Sequence, residues 1–190
     1  MALNAKQVLL NNLAEIRQGQ DEAKKRYNRD LAALRKPFED FFLSGGTDVL
    51  MNSLINDIFT PQLKANPGAD SYDLSYAMNR SDVVNFFYAH TNSTYRTTAD
   101  EIWQGFYEAH KHDFPGYLAD DGDRAKLGYL LRPFSNDSAI GQAIRKSADA
   151  YGIKTLVSPS MISSGEITSV EFFIKLTEKD IAGLRSRQLN

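Results

Sequence analysis

The sequence contains no cysteine among its 190 residues. Disulfide frameworks, cysteine-based zinc sites and thiol nucleophiles are therefore excluded together. Long apolar runs are also missing, and no stretch approaches the roughly 20 consecutive residues that span a bilayer. The opening MALNAKQVLLNNLAEI is broken by Asn4, Lys6, Gln7, Asn11 and Asn12, so it does not read as a secretory signal. These absences lead us to expect a cytoplasmic chain with no membrane partner. Neither sign of charge dominates: 22 basic residues stand against 24 acidic ones, for a formal net charge of −2. The whole surface is then no polyanion magnet, and contact with nucleic acid requires a local basic patch. Glycine-rich phosphate loops are lacking as well, since Gly45-Gly46 has neither the lysine nor the strand context.

What is present is core material. Hydrophobic residues make up 42% of the chain, enough to argue against global disorder. Residues 3–36 contain no proline and one glycine, Gly19. Leu13, Ile16, Gln20, Ala23, Tyr27, Leu31, Leu34, Phe38 and Phe41 recur at steps of three and four, a stripe close to a heptad seam. Arg17, Asp21, Glu22, Lys24, Lys25, Arg26 and Arg29 occupy the rest of that surface. The pattern predicts one helix to about residue 35, where Pro37 disfavours its continuation. A short helix over 37–43 should follow, ended by Gly45-Gly46. The stripe fits either a coiled coil between two copies or a helix packed within its own chain.

Thr47-Asp48 reads as a cap for a helix bearing Val49, Leu50, Leu54, Ile55, Ile58 and Phe59, ended by Asn66-Pro67-Gly68. Residues 66–80 read as a loop with a short element at Tyr72–Met78. Ser81-Asp82 opens a helix apolar all round. Thr98-Ala-Asp-Glu101 is a capping box before Ile102, Trp103, Phe106, Tyr107 and His110. A helix follows at 123–132, then the turn Ser135-Asn-Asp-Ser138, then a helix over 138–151 closed by Gly152. Beyond Gly152 the period changes from 3.6 to 2. Ile153–Val157 and Ile167–Leu176 read as an antiparallel hairpin around the polar loop Ser158–Gly165, with Thr177-Glu-Lys-Asp180 capping a last helix. The fold class expected is mainly α with a small antiparallel hairpin, divided into a helical region 1–97 and a C-terminal unit 98–190.

From residue 98 to 176 the order is long helix, helix, tight turn, helix, glycine, strand, polar loop, strand. This resembles a winged helix-turn-helix DNA-binding domain, with SAIGQAIRKSADAYGIK where such domains keep the recognition helix. It is also loosely similar to the winged-helix tails of viral and plasmid replication proteins. The resemblance implies a DNA partner. The residues agree in part. With Ile140, Ala143, Ile144 and Ala148 inward, Gln142, Arg145, Lys146 and Asp149 point outward. Glutamine can read adenine, and arginine can read guanine or grip phosphate. Arg124, Lys126 and Arg132 on the preceding helix and Lys154 at the hairpin extend the basic set. The wing loop, in contrast, carries no Arg or Lys, and Asp120, Asp121 and Asp123 stand just upstream.

The alternative is a structural, assembly or inhibitor protein acting through the long helix, and either reading fits a homo-oligomer. His90, His110 and His112 do not suggest a metal set. The latter two diverge by about 200° on a helix and read as a solvated helix end. Asp120-Asp-Gly-Asp123 lacks the glutamate of a calcium loop. No side chain is nominated as catalytic and no cofactor is implied, so we expect a non-enzymatic protein.

Overall fold

The computed structural model describes residues 5–91, 98–113, 127–128, 130–135, 138–157, 167 and 169–187. The protein is mainly helical, with one small three-stranded antiparallel sheet. Helix α1 spans Ala5–Phe41 without interruption. The break expected at Lys36-Pro37 does not occur. Proline inside a helix removes one hydrogen bond and crowds the carbonyl four residues back, at about 3 kcal/mol. Here the turn that carries it also buries Phe38 and, just beyond, Phe42, each 1% exposed. Their rings meet each other at 5.0 Å, and Phe38 meets Phe87 at 5.1 Å, a contact gain that outweighs the proline cost. The direction changes at a kink over Phe42–Gly46, where Ser44 and Gly45 leave helical geometry and Gly45 takes φ +117°, a backbone shape open to glycine.

Helix α2 (Thr47–Ser53), a π-helical turn (Leu54–Phe59) and α3 (Thr60–Ala65) continue the chain. Thr47 and Asp48 lie inside α2 rather than capping it. Asp48 instead accepts a hydrogen bond from Ser147 Oγ at 3.1 Å. Strand β1 (Tyr72–Asn79) is a full strand, longer than the short element expected there. Its apolar residues Tyr72, Leu74, Tyr76 and Met78 alternate with Asp73, Ser75, Ala77 and Asn79. Asn79 and Asp82 cap the next helix reciprocally, each side chain accepting from the other's backbone N–H, at 2.8 and 3.0 Å. Helices α4 (Arg80–Thr91) and α5 (Ala99–His110) follow. Leu127, Gly128, Leu130 and Leu131 are helical, and their leucines are buried.

Helix α6 (Ala139–Ala150) leads into the expected hairpin, seen as β2 (Lys154–Leu156) and β3 (Ser169–Leu176). The sheet order is β1-β3-β2. β1 pairs with β3 from Tyr72↔Leu176 to Asn79↔Ser169, and β2 pairs with β3 from Lys154↔Phe173 to Leu156↔Glu171. Helix α7 (Glu178–Arg187) closes the described chain, and Thr177 and Asp180 cap its start. One face of the sheet is buried through Leu74, Met78, Val170 and Phe172. These join Phe38, Met51, Leu54, Val84, Ile140 and Ile144 in one hydrophobic cluster. Sheet and core therefore both cross the expected division near residue 97. Among the described residues, no helix is long and apolar enough to cross a membrane.

Candidate nucleic-acid interface

Helix α6 is fixed at both ends by side-chain and backbone chemistry. At its start, Ser138 Oγ accepts from the Gly141 N–H at 2.9 Å. At its end, Gly152 takes φ +71°, the Ile153 N–H reaches Ala148 O at 2.9 Å and the Gly152 N–H reaches Asp149 O at 3.0 Å. That pair of bonds satisfies carbonyls a helix end otherwise leaves open. Gly141 allows the turn before the helix to lie directly against its first turn, since a Cβ there would meet Ser135 O at 2.5 Å.

The amphipathic split expected for this helix is met by Ile140, Ile144 and Ala148 inward and by Gln142, Lys146 and Asp149 outward, whereas Ala143, expected inward, is half-buried. Ile140, Gly141, Ile144, Ser147 and Ala148 are buried. Ala139, Gln142, Lys146, Asp149 and Ala150 form an exposed arc on the opposite side. Arg145 stands at the flank, half-buried. Its Nη1 donates to Phe134 O at 3.4 Å, so the guanidinium turns toward the preceding turn rather than straight outward. Arg132 is half-buried at the end of the preceding helical residues, with φ +47°. It borders a cavity of about 310 Å³ at the start of α6, together with Arg35, Glu39, Ser135 and Ser138. Arg35 comes from α1, where its Nε donates to Leu130 O at 2.8 Å. Nothing local in the sequence marks Arg35 for this place, because 95 residues separate it from its acceptor.

The expected basic set is thus only partly assembled. Gln142 and Lys146 share the exposed arc, while Arg132 and Arg145 gather at the turn before the helix. Lys154 pairs in register with Phe173 and lies over its ring at 5.9 Å. That position alternates with the core-facing Thr155↔Phe172 pair, so Lys154 lies on the sheet face away from the core. Arg124, Lys126 and the wing loop Ser158–Gly165 lie outside the described residues.

Of the histidines, His110 sits differently from expectation. His110 is not a solvated helix end but fully buried, 0% exposed. It lies between Tyr27 and Phe106, with ring centroids at 5.2 and 4.6 Å. Its Nε2 lies 3.3 Å from Asp30 Oδ2. Arg29 beside Asp30 holds that carboxyl below the usual aspartate range, and His110 adds to the effect. His112 is exposed. His90 stacks on Phe86 at 4.0 Å. No protein-family model matches the chain, and neither a characterised protein nor a solved structure proves significantly similar to it.

Proposed function

We propose that the protein binds DNA through the exposed arc of α6, in the manner of a winged helix, and self-associates through α1. One observation carries the DNA reading. α6 is anchored by Ile140, Ile144 and Ala148, each at most 2% exposed, while its outer arc is short and polar. A helix held by its apolar face, with Ala139, Gln142, Lys146 and Ala150 outward, suits a major groove about 12 Å wide. Arg35 and Arg132 beside the first turn of α6 supply positive charge for backbone phosphates. Asp149 on the same arc opposes the contact with phosphates.

The test is fluorescence anisotropy on labelled random duplex at several salt concentrations. Binding should weaken as salt rises. Lys146→Ala should lower the slope of log affinity against log salt by about 0.9, the loss of one phosphate contact. Gln142→Ala should leave that slope alone and relax discrimination at one base pair by roughly 1–3 kcal/mol. A folded wild-type protein that ignores duplex DNA at low salt removes the reading. A second reading has its own observation: the exposed apolar stripe of α1 favours a protein-contact role, which stands with or without DNA.

A further inference from the structure

The N-terminal half of α1 has a face that none of the described residues covers. Residues 5–22 are all exposed. Leu9, Leu13 and Ile16 lie there with 67, 41 and 59% exposure. Counted at 3.6 residues per turn, Leu9, Leu13, Ile16 and Gln20 fall within about an 80° arc shared with Tyr27, Leu31 and Leu34. The downstream part of that arc is occupied: Tyr27, Leu31 and Leu34 pack against Trp103, Phe106 and Leu130. Among the described residues the turn after α5 ends the cover, with Arg26 paired to Asp113. The bare stripe is therefore a direct continuation of a packed seam.

We infer that a second copy of the chain covers it, with the two α1 helices antiparallel about a two-fold axis between Leu13 and Ile16. This rests on the self-association part of the reading above and adds direction and register. A parallel pair in contact along the whole stripe is excluded by the cover itself. The two stripes would face each other along their length, and at Tyr27 each already carries its own α5. Two helices would then have to fit between the two α1 axes, which packed helices keep 8–10 Å apart. In the antiparallel pair each α5 lies beyond the end of the paired segment. Leu13 of one copy then meets Ile16 of the other, and Leu9 meets Gln20, a seam of the a-to-d kind.

The flanks accept this register. Leu10 falls beside Arg17 and Asn12 beside Gly19, so these flanking positions set no like charges against each other. The entering helix reaches a groove of about 630 Å³ between α1 and the turn after α5, bordered by Gln20, Ala23, Asp21 and Asp113 with Lys24. It brings Lys6 toward Asp21, the Asp113 carboxylate being already paired with Arg26, while Ala23 leaves room for the lysine stem.

The chain's lack of cysteine makes the register measurable with single introduced thiols in the full-length protein. Sedimentation should show concentration-dependent dimers for the wild type. The Leu13→Asp/Ile16→Asp variant should stay monomeric at every concentration, with an unchanged far-UV spectrum, since both residues are exposed. Under mild oxidation, Leu9→Cys mixed with Gln20→Cys should cross-link several-fold faster than either variant alone. Self-cross-linking of Leu9→Cys at the faster rate overturns the antiparallel register while leaving self-association in place. A wild type that remains monomeric at all concentrations overturns both. DNA affinity of the monomeric variant reports on α6 separately.

Discussion

The two halves of α1 share one periodicity and meet different fates. From Leu9 to Gln20 the apolar stripe faces solvent, with Ile16 59% exposed. From Tyr27 to Phe42 the same stripe enters the protein, and Phe38 is 1% exposed. Nothing in the spacing separates them. What differs is the supply of partners. The second half meets Trp103, Phe106 and Leu130, then Phe87. Among the described residues, the first half meets no such cluster. Amphipathic periodicity thus says that a face is apolar, whereas long-range topology decides what covers it.

The largest expected effect tests that contrast directly. Phe38→Ala removes a ring packed against Phe42 and Phe87 and should cost about 3–5 kcal/mol in urea unfolding. Ile16→Ala, measured at sub-micromolar concentration where dimers dissociate, should fall within about 0.5 kcal/mol of wild type. Similar losses for the two variants would erase the distinction between the halves. A smaller but sharper contrast uses one substitution at two points of the stripe. Leu31→Asp places a carboxylate beside Trp103 and Phe106 and should destabilise by about 3 kcal/mol. Leu13→Asp in dilute solution should leave the melting temperature where it was. A Leu31→Asp protein that melts like wild type would show that the cluster does not hold α1 in place.

Much of the fold was legible because its signals are local. The capping box at Thr98 and Glu101, the Ser138 cap and the left-handed Gly152 each depend on a few adjacent residues. The strand periodicity of β3 is equally local. β1 was partly legible: Tyr72, Leu74, Tyr76 and Met78 alternate in plain view, but its pairing with β3 lies almost 100 residues away in sequence. Pro37 misled for the opposite reason, since its local penalty is real and the aromatic cluster that overrides it is tertiary. His110 reads as a solvated helix end until α1 lays Tyr27 and Asp30 against it. At the candidate interface, α6 and its outward Gln142 and Lys146 follow from periodicity. Arg35 does not, because only the crossing of α1 past Leu130 delivers it. The inward turn of Arg145 follows from the closeness of the preceding turn, which Gly141 permits.

The smallest effect concerns what separates the two halves, the cover supplied by α5. That helix starts at Thr98, whose Oγ1 accepts from the Glu101 N–H at 3.2 Å while Glu101 Oε2 accepts from the Thr98 N–H at 2.7 Å. The backbone N–H of Thr98, followed by its hydroxyl, holds the Glu101 carboxyl below the ordinary glutamate range. A carboxylate with a lowered folded-state pKa stabilises the fold above its unfolded value, near about 4.3, and loses that contribution as pH falls through the folded one. Thr98→Ala removes both the hydroxyl acceptor and one partner of the carboxylate. At pH 7 it should cost about 1 kcal/mol in urea unfolding. Glu101→Gln keeps a side-chain acceptor but no charge, so its deficit should be present at pH 7, shrink as pH falls below the unfolded glutamate value near about 4.3, and vanish only below the lowered folded-state value, where wild-type Glu101 is itself neutral. Because Trp103 and Phe106 follow this cap within two turns, fraying should first be felt at Tyr27 and Leu31. Hydrogen exchange should therefore quicken at the α1 residues under α5 and stay unchanged over residues 8–20. Equal quickening in both halves would mean that α5 is not what distinguishes them.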